Sequence, residues 1–228
     1  MPTRRRLHCS GERSAVVTYT IPHYPTHLID FISAKGRRVM IRPMLPQDSR
    51  LQREFFRSLS ARARYSRFMA SFNELPDVVA ERLSKIDYSS HFALLAEVFE
   101  DRRSEIMVGE ARYVIDEHDS AACEFAITVS DSWQGCGVGR ALLAQLEREA
   151  AASGIRRMVT DTLYDNKPMR GLAIASGYTV TANPKDARLV KLEKQVSAWT
   201  AAAERPKNGC RNNDDAFREL METEHVRR

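Results

Sequence analysis

Three glycines on alternate positions, Gly135, Gly137 and Gly139, stand with Gln134, Cys136 and Val138 between a run that alternates like a β-strand and a run with helical spacing. A chain built this way passes from strand to helix through a loop that no side chain fills. Glycine tolerates positive φ and lets the backbone approach a ligand closely, so successive N–H groups can converge on an anion where the helix begins. The feature points to a phosphorylated cofactor or nucleotide, with a bare strand-to-helix turn as the alternative.

Different phosphate loops make different demands on their neighbours. A P-loop closes on Gly-Lys-Ser/Thr, whereas Gly139 is followed by Arg140 and Ala141. A dinucleotide loop starting at Gly135 needs a third glycine where Arg140 stands, although Asp161 lies near the place of a ribose-binding acid. The pattern Gln/Arg-x-x-Gly-x-Gly/Ala is met in full by Gln134 to Gly139.

Periodicity organises the rest of the chain. Arg38 to Arg42 alternates as a strand ended by Pro43 and Pro46, and Asp48 then caps a helix to about Leu59, with Leu51, Phe55, Phe56 and Leu59 on one face. A second helix is predicted from Pro76 to Lys85, with Val79 and Leu83 as its apolar stripe. Three β-patterned runs, His91 to Phe99, Ile106 to Ile115 and Cys123 to Val129, read as an antiparallel meander. Arg140 to Ser153 is the clearest helix, with Leu142, Leu143, Leu146 and Ala150 inward and Gly154 as its stop. A strand from Arg156 to Asp161, a helix from Asn166 to Ser176 ended by Gly177, and a strand from Arg188 to Leu192 complete the pattern.

Residues 1–35, which include Pro22 and Pro25, read as an extended arm, residues 36–195 as the folded domain and residues 196–228 as a polar, flexible tail. The fold class expected is α+β, with one mixed sheet.

The net charge of +5 over 228 residues comes from positive residues spread along the chain and concentrated at its ends, rather than gathered on a face interleaved with aromatics, so no nucleic-acid partner is expected. No apolar run is long enough to cross a bilayer and Met1 to Arg13 lacks a signal-peptide pattern, which leads us to expect no membrane association and a cytoplasmic location. Cys9, Cys123, Cys136 and Cys210 are scattered without metal or disulfide spacing, so neither is expected. Cys136 reads as a small side chain beside a phosphate rather than a reactive thiol.

The loop, the preceding strand Glu124-Phe125-Ala126-Ile127-Thr128-Val129, the following helix, and Asn166-Lys167-Pro168-Met169 leading to Ser176-Gly177-Tyr178 together resemble the GNAT acyltransferase family over about residues 38–193. Tyr24-Pro25, Gly36-Arg37-Arg38, Ile41-Arg42-Pro43, Phe55 to Ser60, Arg64 to Phe68 and Ile86-Asp87-Tyr88 are similar to the acetyltransferase module of bacterial protein lysine acetyltransferases. In larger members that module is attached to an acyl-CoA-synthetase-like region, so the resemblance implies a stand-alone module here. It also implies a mainly antiparallel mixed sheet with helices on both faces, and acetyl-CoA as acyl donor.

By the same resemblance, the pyrophosphate sits on the amides of Gln134, Gly135, Cys136, Gly137, Val138, Gly139 and Arg140. The pantetheine arm follows the backbone of Ile127, Thr128 and Val129, and Asn166 meets the cofactor, a helix N-cap being its other role. Glu124 stands where such enzymes carry the base that deprotonates the acceptor amine; Glu97, Glu110 and Asp161 are alternatives. The tyrosine that many members carry seven residues after the asparagine is Ala173, so no general acid is assigned, and Tyr178 reads as core. The implied acceptor is a protein lysine, with an acyl-CoA synthetase as a candidate partner. A small-molecule amine, or an acyl-CoA-binding module without catalysis, are the other readings. Oligomeric state is left open.

Overall fold

In the computed structural model, which describes residues 24–99 and 105–197, the expected meander is formed by β3 (His91–Phe99), β4 (Glu105–Ile115) and β5 (Ala122–Val129). The arm up to residue 23, the 100–104 connection, Cys9, Cys210 and the tail from residue 198 lie outside the described residues. β3 is buried along both faces, which is why its sequence Phe-Ala-Leu-Leu-Ala reads as a continuous apolar run rather than an alternating one.

Two strands precede the meander, β1 (Asp30–Ala34) and β2 (Arg37–Pro43), and three follow it: β6 (Arg157–Leu163), β7 (Thr179–Ala182) and β8 (Leu189–Gln195). Together they make one eight-stranded sheet in the order β1-β2-β3-β4-β5-β6-β8-β7. Every pairing is antiparallel except β5 with β6. The expected α+β class with a mixed, mainly antiparallel sheet is therefore the observed one.

Helices cover both faces. α4 (Val138–Ala152) and α5 (Lys167–Ala175) lie on one side. There, fully buried Leu142, Leu143 and Leu146 pack on Phe92, Leu94, Tyr113 and Phe125, each buried leucine contributing ~1.5–3 kcal/mol. α4 sits so close to β4 that a Cβ on Gly109 would come within 2.9 Å of the Leu142 side chain. On the opposite side lie α1 (Ser49–Ser58), α2 (Ala61–Phe68) and α3 (Asp77–Ser84), with Leu51, Phe55 and Leu59 on Ala93, Leu95 and Met107.

The structure corrects four expectations. Residues 30–34, assigned to the extended arm, are an edge strand held by five pairings to β2. α2 was not expected: it has no buried residue and hence no apolar stripe to read. β7 was likewise missed, being a four-residue edge strand. Asp48 does precede α1 but makes no side-chain cap. Its carboxylate instead accepts from Leu45 N at 2.7 Å and from Arg42 at 2.7 and 3.0 Å, because the nearly buried Arg42 guanidinium, shared with Glu97 at 2.9 Å, requires counter-charge.

Candidate active site

The sheet opens where β5 leaves β6. Their parallel pairing comprises Ala122, Cys123 and Glu124 against Arg157, Met158 and Val159. Beyond Glu124, β5 stays paired to β4 as far as Val129 and β6 stays paired to β8 as far as Leu163. The two strands therefore diverge as a fork with Glu124 at its vertex, and the inner edge of β5 from Phe125 onward offers unpaired backbone groups to whatever fills the gap.

The glycine loop closes the open end of the fork. Gly135 and Gly137 adopt φ of +72° and +98°, a region that side chains resist. Gly137 is the N-terminal boundary of α4 and supplies no side-chain cap. Among the described residues, no acceptor is found for any backbone N–H from Gly135 to Arg140, and the first amide to close back is Ala141, onto Gly137 O at 3.0 Å. Such a run of unsatisfied donors at a helix N-terminus suits a diphosphate. Gln134 Nε2 donates to Val129 O at 3.1 Å, tying the loop to the end of β5.

Asn166 stands across the fork at the end of β6. Its Oδ1 accepts from Met169 N at 3.3 Å, and its Nδ2 donates to Thr162 Oγ1 at 3.1 Å, so it caps α5 while lining the same space. That space is a cavity of about 520 Å³ bounded by Ile127, Thr128, Val129, Gln134, Gly135, Gly137, Gly139, Arg140 and Asn166. Two expected contacts do not line it. Val138 is fully buried against the core, and Cys136 turns inward, its Sγ donating to Trp133 O at 2.8 Å. Only their backbone amides can face a ligand, because the helix start directs both side chains into the fold.

The fourth wall is α2, which contributes Arg62, Ala63, Ser66 and Arg67, none of them among the expected site residues. Asp131 clasps the start of this helix: its carboxylate accepts from Ser60 N at 3.0 Å and from Ser60 Oγ at 2.8 Å. Burial pushes the Asp131 carboxyl up, but the Ser60 hydrogen bonds outweigh it and hold it below the usual carboxylate range. The readable signal for α2 was Ser60 as N-cap, accepting from Ala63 N at 3.1 Å. Arg62, Arg67 and Arg140 make the cavity basic, with Asp131 its one carboxylate.

Glu124 does not line this cavity. On β5 it alternates with Ala126 and Thr128 toward the face carrying α2, and it opens instead into a second cleft of about 400 Å³ with Val114, His118, Val159, Asp161 and Lys191. Two of the alternative bases are committed elsewhere: Glu97 to Arg42 at 2.9 Å, and Glu110 to Arg112 at 2.7 Å. Asp161 accepts from Asn183 Nδ2 at 3.0 Å. Ala173 is fully buried, and Tyr178 packs its ring 5.2 Å from Phe125 in the core.

Residues 54–178 match the model of the Acetyltransferase (GNAT) family. The chain belongs to the GNAT acetyltransferase family. It is 33% identical over 155 residues to an acetyltransferase of Pseudomonas aeruginosa, covering 68% of this chain and 82% of that one. It is 30% identical to the acetyltransferase Pat of Mycolicibacterium smegmatis over 59% of this chain, a match that spans 39% of Pat. Among solved structures, the GNAT domain of S. lividans PAT superposes with a TM-score of 0.69 at 25% identity, covering 76% of this chain and 99% of that one. The Salmonella typhimurium protein yncA, solved with its cofactor acetyl-CoA, shares the fold at a TM-score of 0.55 and 20% identity, over 75% of this chain and 99% of that one.

As a GNAT acetyltransferase the chain uses acetyl-CoA as its acyl donor, and the unsatisfied amides of the loop suit that donor's diphosphate. A Cβ on Gly137 would meet no protein atom within 4 Å, so Gly137→Ala tests the loop conformation itself. Forcing a side chain into φ near +98° costs ~1–2 kcal/mol. The free loop relieves that strain by relaxing out of the binding conformation, so the affinity for CoA, measured by calorimetry, is expected to fall about tenfold while the thermal midpoint barely moves.

Proposed function

We propose that the chain transfers the acetyl group of acetyl-CoA to the side-chain amine of a protein lysine, with Glu124 receiving the acceptor's proton. The observation carrying this reading is the fork. The phosphate-binding amides lie at its open end and Glu124 lies at its vertex, five residues back along β5, about 17 Å at the rise of a strand. A diphosphate, an extended arm and a thioester would meet the protein in that order.

In this reading the amides of Gly135 to Arg140 hold the pyrophosphate, aided by Arg62 and Arg140. The free edge of β5 at Ile127 and Val129 receives the amide-bearing arm as an added strand, and Asn166 flanks it. The acceptor enters through the cleft into which Glu124 opens. A lysine with a pKa of ~10.4 is almost wholly protonated at neutral pH, so Glu124 has to accept a proton, directly or through one water, before the nitrogen can attack. The cleft is bounded by the exposed β4–β5 hairpin, including His118, and is reachable by a lysine on the surface of a folded protein.

The test offers radiolabelled acetyl-CoA with two sets of acceptors: folded proteins that include acyl-CoA synthetases, and small amines that include polyamines and aminoglycosides. Label on protein lysines is the expected result. Transfer to small amines with none to any protein would overturn the acceptor assignment.

A further inference from the structure

Arg67 occupies a position that the loop and Glu124 leave unexplained. α2 starts at the clasp between Ser60 and Asp131, beside the glycine loop, and runs inward along the cavity. With a rise of ~1.5 Å per residue, Arg67 lies about 10 Å deeper than Ser60. It lines the 520 Å³ cavity and also a small void beneath it shared with Glu110, Thr128, Phe56 and Phe68. Its side chain is only 16% exposed.

The guanidinium is poorly compensated. Its Nη2 is 3.7 Å from Glu110 Oε1, too long for a hydrogen bond. The Glu110 oxygens are already taken by Arg112 Nε at 2.7 Å and Gln52 Nε2 at 2.8 Å. Among the described residues the Arg67 guanidinium makes no hydrogen bond of ordinary length, and its other neighbour is the Phe68 ring, 4.9 Å away. Burial lowers its pKa, and the neighbouring Arg112 works in the same direction while Glu110 and Glu124 oppose it; an arginine nevertheless stays charged. A mostly buried cation with no carboxylate within hydrogen-bond distance calls for an anion from the ligand side.

The diphosphate lies at the other end of the cavity, with Arg62, Arg140 and the loop amides. Resting on the acetyl-transfer reading above, the inner end sees two new negative charges. One is on the carbonyl oxygen, which the unpaired β5 amides can meet, and the other is on the departing sulfur. Ala173, fully buried on α5, offers that sulfur no acid.

We propose that Arg67 is a catalytic residue that stabilises the CoA thiolate as it leaves, replacing proton donation by charge pairing. The acceptor nitrogen, already relieved of one proton by Glu124, forms its bond to the acetyl carbon and loses its second proton to water. The carbon–sulfur bond breaks with its electron pair remaining on sulfur, and the thiolate departs paired with the Arg67 guanidinium, to be protonated by solvent. A cation in a shielded site favours thiolate over thiol in free CoA as well, which gives a readout independent of turnover.

Reduced CoA bound to the full chain is titrated by the ultraviolet absorbance of its thiolate. In the wild type the midpoint is expected about one unit below that of free CoA, with R67Q returning it to the free value and R67K keeping most of the shift. In steady state, R67Q should lower kcat about 100-fold with little change in KM for acetyl-CoA, whereas R62Q, at the phosphate end, should raise that KM. An unshifted midpoint in the wild type or an unchanged one in R67Q overturns the proposal. So does an R67Q variant that only raises KM while R67K behaves as wild type. If the wild type shifts the thiol but acetylates no amine, the Arg67 assignment stands and the lysine-transfer reading falls.

Discussion

Replacing Glu124 by glutamine is expected to lower the rate of acetyl transfer by ~10²–10⁴-fold, the usual worth of a positioned general base. CoA binding should stay within about twofold, because Glu124 does not line the cavity that the loop closes. Glutamine keeps the size and the carbonyl oxygen of the side chain but cannot take a proton. Glu124 is exposed on its strand, so the fold is not at stake and a lost rate reads as lost chemistry. Single-turnover transfer with saturating acetyl-CoA, alongside calorimetry with CoA, separates the two quantities. A variant that transfers at the wild-type rate would remove Glu124 from the mechanism and return attention to Asp161, which shares the cleft.

The largest effect on stability is expected from Glu110→Gln, about 3–5 kcal/mol at neutral pH, because the change leaves a buried arginine without its carboxylate. Glu110 is 5% exposed and Arg112 4%. Arg112 Nη1 also donates to Leu83 O at 2.9 Å and meets His91 Nε2 at 3.0 Å, while His91 Nδ1 donates to Lys85 O at 2.7 Å. With Gln52 of α1 on the other Glu110 oxygen, the cluster joins β4, β3, α1 and the end of α3. Burial pushes Glu110 up, but the charges of Arg112 and Arg67 and the hydrogen bonds from Arg112 and Gln52 more than reverse it, down to about 2.

A carboxyl whose folded pKa is depressed contributes stability above its unfolded pKa of ~4.3 and loses it as pH falls through the folded value. The gap between wild type and Glu110→Gln should therefore be constant above about pH 5 and close progressively toward pH 2. Urea titrations at a series of pH values measure it. A gap that widens on acidification would contradict the ion-pair account.

Some elements are set by local pattern and others by their tertiary partners. β4, β5, α4 and α5 were legible from the spacing of the apolar residues on their buried faces, and β3 as a continuous apolar run buried on both faces. β1 alternates only weakly, with Phe31 41% exposed, and is a strand because β2 pairs with it. α2 has no fully buried residue, and its hold on the fold comes from Asp131, distant in sequence from Ser60, and from Phe68 against Phe56 of α1. Asp48 looked like a helix cap because its local context permits one. Arg42 and Leu45 claimed it once the chain folded.

The sequence by itself determined the loop. Gly135 and Gly137 must be glycines for the backbone to turn at positive φ, and that requirement is local, so it survives without knowledge of the rest of the chain. Only the tertiary structure decided what surrounds the loop. The fork with Glu124 at its vertex depends on where β5 and β6 stop pairing. The poorly compensated Arg67 depends on Glu110 having already been taken by Arg112 and Gln52. Pairing between strands and competition for a buried carboxylate are settled by groups far apart along the chain, and no local pattern encodes them.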